Sequence, residues 1–321
     1  MLGADPRVSV AENYRRFARG EVHGKSPLYE ELCDGIADDS ELLEFLVAQP
    51  PEKRQPNLLL GVVRVLFGRQ SDYASFRTAV LEHRDLVTAE LSARRTQTNE
   101  PGRCAVLLPL LATLPQPLAL LEVGAAAGLC LLVDRYGYDY DGHRVGSTEL
   151  VFPCSIRGNV PLPRDLPQVA WRAGIDISPI DLHDQQAVRW LETLVWPEET
   201  DRLERLRAAI AIARTDPPRI IQADLLDALA SLASQAPRDA TLVIFHTAVL
   251  PYLTRAQRDQ FQTVVATLGA EWIANEGAGV LAHTRPTAAS PWSDQDCVVT
   301  HNQQPVAFCD PHGRWIQWID H

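Results

Sequence analysis

No two of the six cysteines, at positions 33, 104, 130, 154, 297 and 309, are spaced as a CxxC pair, which excludes a zinc knuckle and a dithiol redox motif. Scattered thiols of this kind fit a reducing compartment, so a cytoplasmic location is expected. Basic charge is also scarce: 30 Lys and Arg against 41 Asp and Glu leave a net charge of -11. A chain this acidic repels phosphate backbones, and no nucleic-acid partner is expected. The opening MLGADPRVSVAENYRR has no apolar core behind a basic start, so no secretory signal is expected. In the apolar run 105–133 the only charge is Glu122, and its length would suit a membrane span. Pro109, Pro115 and Pro117 break that run into an apolar helix and a short strand, so no membrane partner is expected. No histidine pair or carboxylate cluster has metal-ligand spacing, and no internal repeat is visible. What the chain does have is material for a core: 321 residues, 46% hydrophobic and 22% charged, enough for about two ordinary domains or one enlarged one.

The first hundred residues read as helices. Apolar positions recur at three- and four-residue steps over 13–19, 28–36, 40–47, 57–67 and 73–91, with Asp39 and Ser40 as N-cap candidates for the third. From about residue 118 the pattern changes to short apolar strands alternating with helices: LALLEVG, VAWRAGIDIS, RIIQADLL, ATLVIFHTAVL and EWIANEG. Helices are expected over AAAGLCLLVDRYG, over 185–195 and 198–213, and from Arg255 to Leu268. Strand and helix in alternation mean a parallel sheet with helices on both faces. An insertion over 138–167 carries hairpin signals, and the stretch from CVVTHN to WIQWI reads as an antiparallel ribbon turned by Pro311, His312 and Gly313. The expected organisation is a helical cap over 1–115 and an α/β domain over 116–321.

In an open parallel sheet, ligands bind beyond the carboxyl ends of the strands, so the residues ending each strand carry the information. The first strand ends in Glu122, Gly124, Ala125, Ala126, Ala127 and Gly128, small residues that let the backbone turn tightly and approach a ligand. Asp176 ends the second, Asp224 the third, His246 and Thr247 the fourth, and Asn275 and Glu276 the fifth. A carboxylate in the Asp176 position suits two ribose hydroxyls, and Asp224 suits an exocyclic amine.

The series E-V-G-A-A-A-G, G-I-D-I-S, Q-A-D and F-H-T-A-V-L resembles class I S-adenosylmethionine-dependent methyltransferases over roughly residues 118 to 321. The resemblance implies a Rossmann-like, mostly parallel seven-stranded sheet with the ribbon as its antiparallel end. It also implies adenosylmethionine as cofactor and methyl transfer to a small or medium-sized acceptor held between cap and sheet. The cofactor contacts it implies are Glu122, Gly124, Ala125 and Gly128 at the methionine end, Asp176 at the ribose and Asp224 at the adenine, with Ile177 and Leu225 as further contacts. The family's middle glycine is Ala126 here. Together, TQTNEPGRCA, LVWPEE, VIFHTAVL, WIANEG and DPHGRW also resemble a bacterial family known only as a domain of unknown function, family 2332, nearly end to end.

Several positions have two readings. The glycine turn serves adenosylmethionine better than NAD, because no G-x-G-x-x-G is present and the acids about 20 residues on, Asp139 and Asp141, fall in a hairpin. Asp176 and Asp224 are either cofactor contacts or helix N-caps. His246 is either a satisfied buried histidine or the base that takes a proton from the acceptor, with Glu276 as a second base or an anchor. Asn99, Glu100 and Arg103 are either helix caps or neighbours of the methionine end, Arg103 then pairing with a carboxylate. Tyr136, Tyr138 and Tyr140 either line a pocket or alternate along a strand. The rival to an enzyme is a methyltransferase-fold protein that binds a nucleoside-like metabolite or a partner protein without transfer.

Overall fold

Prolines and short polar caps set the helix starts in the first hundred residues. In the computed structural model, which describes residues 5–97, 99–281, 293 and 295–319, helices α1 (Pro6–Phe17), α2 (Pro27–Asp38), α3 (Ser40–Val47), α4 (Pro56–Phe67), α5 (Tyr73–Glu82) and α6 (Arg84–Ala93) follow one another. Pro6, Pro27 and Pro56 occupy first-turn positions, where a missing N–H costs nothing. Asp39 accepts from the N–H groups of Glu41 and Leu42 to start α3, and Asp72 forms a capping box with Ser75 to start α5. The stretch 73–91, expected as one helix, divides at His83, whose φ of −123° leaves the helical region.

The chain then runs through α7 (Cys104–Leu111), β1 (Leu118–Val123), β2 (Gly137–Tyr140), β3 (His143–Val145), β4 (Val151–Pro153), β5 (Ser155–Arg157), β6 (Val169–Asp176), α8 (Gln185–Thr193), α9 (Thr200–Thr215), β7 (Arg219–Gln222), α10 (Leu225–Ala233), β8 (Thr241–Thr247), α11 (Arg255–Thr267), β9 (Glu271–Gly277), β10 (Cys297–His301), β11 (Gln304–Cys309) and β12 (Trp315–Trp318). Two compact units result. The first comprises residues 1–98 and 184–204, and the second 99–183 and 205–321.

A boundary at 115 is expected from sequence; the contacts put it at 98, with a second segment joining the helical unit. Trp190 and Trp196 explain that segment. Both are buried in one core with Tyr14, Phe17, Leu32, Leu42 and Leu59. Their indole N–H groups bond to Arg95 O at 2.9 Å and Asn57 Oδ1 at 3.0 Å. Two large aromatic side chains with satisfied polar handles anchor the segment far more strongly than its neighbours in sequence could.

The second unit is α/β, built on a nine-stranded sheet of order β5-β12-β11-β10-β9-β8-β1-β6-β7. β7, β6, β1, β8 and β9 are parallel to one another. β10 and β11 alternate antiparallel after β9, and β5 adds in parallel beyond β12. The seven strands expected become nine because the ribbon holds three strands and the insertion supplies a fourth. Its first turn is Asn302 and Gln303, with φ of 48° and 70°, joining β10 to β11, and the Pro311–Gly313 turn joins β11 to β12. From β1 the chain builds outward through β6 and β7 on one side and through β8 and β9 on the other, so the switch point lies between β1 and β8.

One face of the sheet packs on α10 and α11 through Leu121, Val123, Ala173, Ile175, Ile244, Trp272, Phe261 and Val265. On the other face lies the stretch Leu129–Arg135, which is 3-10 turns and not the expected α-helix. Its carbonyls are taken by side chains outside the stretch: Leu129 O by the Tyr136 hydroxyl, Val133 O by that of Tyr138, and Leu131 O by Arg172. Arg172 also grips Asp134 through two hydrogen bonds of 2.8 Å. The three tyrosines are therefore buried donors, Tyr140 bonding to Ala105 O. No helix among the described residues is long and apolar enough to cross a membrane.

Candidate functional site

β1 delivers the chain into the turn 124–128 at the carboxyl edge of the sheet. Gly124, Ala126 and Gly128 all have left-handed backbones, with φ of 70°, 50° and 72°. A Cβ on Gly124 would run into Val249, and one on Gly128 would press on Ile220 and Pro218. Ala126 therefore adopts the conformation that glycine prefers, at a cost of about 1–2 kcal/mol. Its surroundings hold it there: its N–H donates to Asp176 Oδ2 at 2.8 Å, and its carbonyl accepts from Ile180 N at 3.1 Å. Ala125 tucks against the bare Cα of Gly174 on β6, where any side chain would collide with it.

Asn99 clamps the same turn, with Nδ2 bonded to Ala125 O at 3.2 Å and Oδ1 accepting from Leu129 N at 2.9 Å. Both of its polar groups serve the turn, and Leu129 N is no longer a free donor. Four residues on, Arg103 Nη1 bonds to Thr247 O and Oγ1 at 3.2 and 3.1 Å, and Nε bonds to Pro311 O at 3.0 Å. This buried guanidinium has no carboxylate within ion-pair distance among the described residues. Gly102 and Gly313 meet backbone to backbone, since a Cβ on Gly313 would overlap Gly102 O. β11 runs in the same direction as β9, so its end, the Asp310–Gly313 turn, lies at the same edge as the glycine turn.

Register sorts the remaining candidates onto two faces. Glu122 lies opposite Gly174 and Phe245, which puts it on the face shared by Thr247 and Asn275. It is buried, and its Oε2 has no hydrogen-bond partner among the described residues. Burial, with Cys130 and Asp176 adding, pushes its carboxyl well above the usual range, while Arg103 opposes the shift. His246 aligns with Val123 and Ala274, so it faces α11 together with Trp272 and Glu276. The Trp272 indole, which can only donate, bonds to His246 Nε2 at 3.0 Å. Nε2 is therefore bare, and Nδ1–H donates to Glu276 Oε1 at 2.6 Å. That oxygen also accepts from Val249 N and Leu250 N, which fixes the loop after β8. Both nitrogens of His246 are engaged in a fully buried network.

At the far side, Asp176 Oδ1 accepts from Ser178 N at 2.8 Å, so each of its oxygens carries one backbone bond and keeps further acceptor capacity. Ile177, next to it, is 64% exposed, and Tyr252 beyond β8 is 71% exposed; both are large apolar side chains at the carboxyl edge. Asp224 caps α10 through Oδ1 to Leu226 N at 2.8 Å, with half-buried Leu225 beside it.

The structure thus brings Asn99, Arg103, Glu122, Gly124, Ala125, Gly128 and Asp176 around one turn, with Ile177, Asp224 and Leu225 along the neighbouring strand ends. It places His246 and Glu276 on the opposite face. Sequence reasoning passed over His312 as part of the site, and passed over Ala248, whose φ of 57° gives the second left-handed non-glycine residue at the switch point. The glycines of PGR and PHGR were the available signal, since each marks a close backbone approach. Thr98 of the TQTNEPGRCA motif lies outside the described residues.

Among the described residues no group of three His, Cys, Asp or Glu side chains is arranged to hold a metal ion, and all six cysteines are buried free thiols. A family model described as "Uncharacterized protein conserved in bacteria (DUF2332)" matches residues 11–318. No curated protein and no solved structure matches the chain.

Proposed function

The chain belongs to this bacterial family, and on that footing we propose that it is an S-adenosylmethionine-dependent methyltransferase with the cofactor bound at the 124–128 turn. The observation that carries the reading is the left-handed backbone at all three positions of E-x-G-x-A-x-G, including the alanine, at the switch point of a parallel sheet. A strained residue held by its surroundings at such a place points to a backbone shaped for close approach by a ligand.

The buried polar groups suit the cofactor's parts. Arg103, a buried cation with no carboxylate within ion-pair distance among the described residues, suits the carboxylate of an amino-acid end. The unpartnered oxygen of Glu122 suits the ammonium group of that same end. Asp176, with acceptor capacity left on both oxygens, suits the ribose hydroxyls, and exposed Ile177 suits the flat apolar face of adenine. Asp224 Oδ2 remains for the exocyclic amine. When bound, the sulfonium supplies an activated methyl group. The chain's own residues then bind and align: Asn99 and Asp176 fix the turn, Arg103 fixes the amino-acid end, and the His246–Glu276–Trp272 network holds the loop after β8. The expected acceptor is a small or medium-sized molecule.

Calorimetry with adenosylhomocysteine tests the reading. Saturable binding at one site per chain is expected, with methylthioadenosine, which lacks the amino-acid end, binding at least about tenfold more weakly through loss of the Arg103 contact. No heat with either nucleoside, from a folded sample, would contradict it. A second reading, a nucleoside-binding protein of this fold without transfer, is favoured by the closed state of His246. It predicts binding with no release of labelled methyl from adenosylmethionine under any acceptor tried.

A further inference from the structure

Glu122 is a carboxyl group with little around it to hold a charge. It is 1% exposed, and its Oε2 has no hydrogen-bond partner among the described residues. It stands near the end of β1, just before Val123 and the left-handed Gly124, so the strand that carries it leads directly into the glycine turn. The cation in its surroundings, Arg103, directs Nη1 to Thr247 O and Oγ1 and Nε to Pro311 O, and forms no ion pair with it among the described residues. A carboxylate ion in this position would lose its hydration and gain no partner at Oε2, a cost that keeping the proton avoids.

The neighbouring groups favour the same state. Burial acts first, the Cys130 thiol and the Asp176 carboxylate add to it, and Arg103 opposes them. Tyr136 and Cys104 are further titratable groups beside this cluster. Their hydrogen atoms go elsewhere: Cys130 Sγ bonds to Glu100 O at 3.4 Å, Cys104 Sγ to Cys130 O at 3.6 Å, and the Tyr136 hydroxyl to Leu129 O at 2.9 Å. On the two adjoining strands the residues opposite Glu122 are Gly174 and Phe245, neither of which titrates.

We propose that the glycine-turn site takes up its ligand with release of a proton: Glu122 is neutral in the free chain and ionises when a ligand's ammonium group reaches Oε2. This role rests on the methyltransferase reading and makes Glu122 a specificity determinant of that site, selecting nucleosides that carry an amine. Before binding, the proton sits on the Glu122 carboxyl and the ligand's amine is an ammonium. After binding, the ammonium donates to the carboxylate, and the carboxyl proton has left to solvent. The ligand's own carboxylate on Arg103 weakens that cation's pull on Glu122, but the ammonium is in direct hydrogen-bond contact and outweighs it. Binding that releases a proton tightens as pH rises toward the free Glu122 value and levels off above it. A nucleoside without an amine shows no such dependence.

The test is calorimetry of the full-length chain at about pH 6, well above the ordinary carboxyl range, repeated in buffers of different ionisation heat so that released protons are counted. Adenosylhomocysteine is expected to release about one proton per molecule bound, and its Kd to fall by up to about tenfold for each pH unit of rise. Methylthioadenosine, which has no ammonium, is expected to release none. Glu122→Gln keeps the shape of the neutral form and is expected to bind adenosylhomocysteine without proton release. Infrared difference spectra of the chain carrying isotope-labelled glutamate give a second readout: a protonated-carboxyl band in the free parent, absent from Glu122→Gln and lost on adding adenosylhomocysteine. Binding heat that is the same in every buffer overturns the proposal and leaves the cofactor reading standing. Equal release with methylthioadenosine overturns the part played by the ammonium, and release that persists in Glu122→Gln overturns Glu122 as its source. If neither nucleoside binds, the cofactor reading fails and proton-linked uptake falls with it, while the infrared band still decides whether Glu122 is neutral in the free chain.

Discussion

His246 lies between Glu276 and Trp272 with no exposed surface, whereas His312 stands 3.5 Å from Glu100 with part of its ring open to solvent. Both sit at the carboxyl edge of one sheet, and each faces a glutamate. The two differ in burial and in how each is held. An indole N–H on the far nitrogen of His246 fixes one tautomer and makes the pair a brace for the loop after β8. His312 is held through its backbone, by Asp310 and by the packing of Gly313 on Gly102. A histidine at a strand end is thus a proton-transfer candidate only after both of its nitrogens have been accounted for.

The comparison breaks most sharply at Gly313. Gly313→Ala places a methyl group into Gly102 O at a φ of 81°, so unfolding by denaturant should show a loss of about 3 kcal/mol or more. Next in size, His246→Ala strands the Trp272 N–H and one lone pair of Glu276 in the core and should cost about 2–4 kcal/mol. His312→Ala should cost under about 1 kcal/mol, since its ring is partly exposed and its turn is held by the backbone. Equal losses at the two histidines would erase the distinction.

Asp176→Ala removes the acceptor for Ala126 N–H and the proposed ribose contacts together, and calorimetry should show adenosylhomocysteine affinity reduced by about 1.5–3 kcal/mol. Glu122 gives a smaller effect with a defined sign. Burial raises its carboxyl, so the folded chain keeps a proton that the unfolded chain loses near pH 4.3. The stability from this group is fully present below that pH and falls as pH rises toward the folded value. Glu122→Gln cannot lose the proton, so its denaturant midpoint should fall less between about pH 5 and 8 than that of the parent. Smallest is Ala126→Gly, which relieves a left-handed alanine and adds unfolded-chain entropy. The two nearly offset, leaving stability within about 1 kcal/mol and nucleoside binding intact.

The parallel strands were legible because each is a short apolar run ending in a polar residue, and β1, β6, β7, β8 and β9 lie where those runs are. Asp39 as a cap was legible for a similar reason, since its partners are two and three residues away. The stretch 129–135 was not, because the groups that keep it from α-helix, Tyr136, Tyr138 and Arg172, act through bonds that local periodicity does not register. Likewise the glycine turn and Asp176 could be picked out from strand-end chemistry, but not the grip of Asn99 on the turn. The pairing of Glu100 with His312 joins two segments far apart in sequence through two glycines, and each glycine read alone is only a turn residue. The helical unit shows the same limit: Trp190 and Trp196 are remote in sequence from the first hundred residues, and only their packing places them in that core.

The most direct test of the central claim is a crystal structure grown with adenosylhomocysteine. It should show the nucleoside at the 124–128 turn, its ribose hydroxyls on Asp176, its adenine against Ile177 and its carboxylate on Arg103. Density for the nucleoside away from that turn, or a ligand-free turn under conditions where calorimetry shows saturation, would contradict the account.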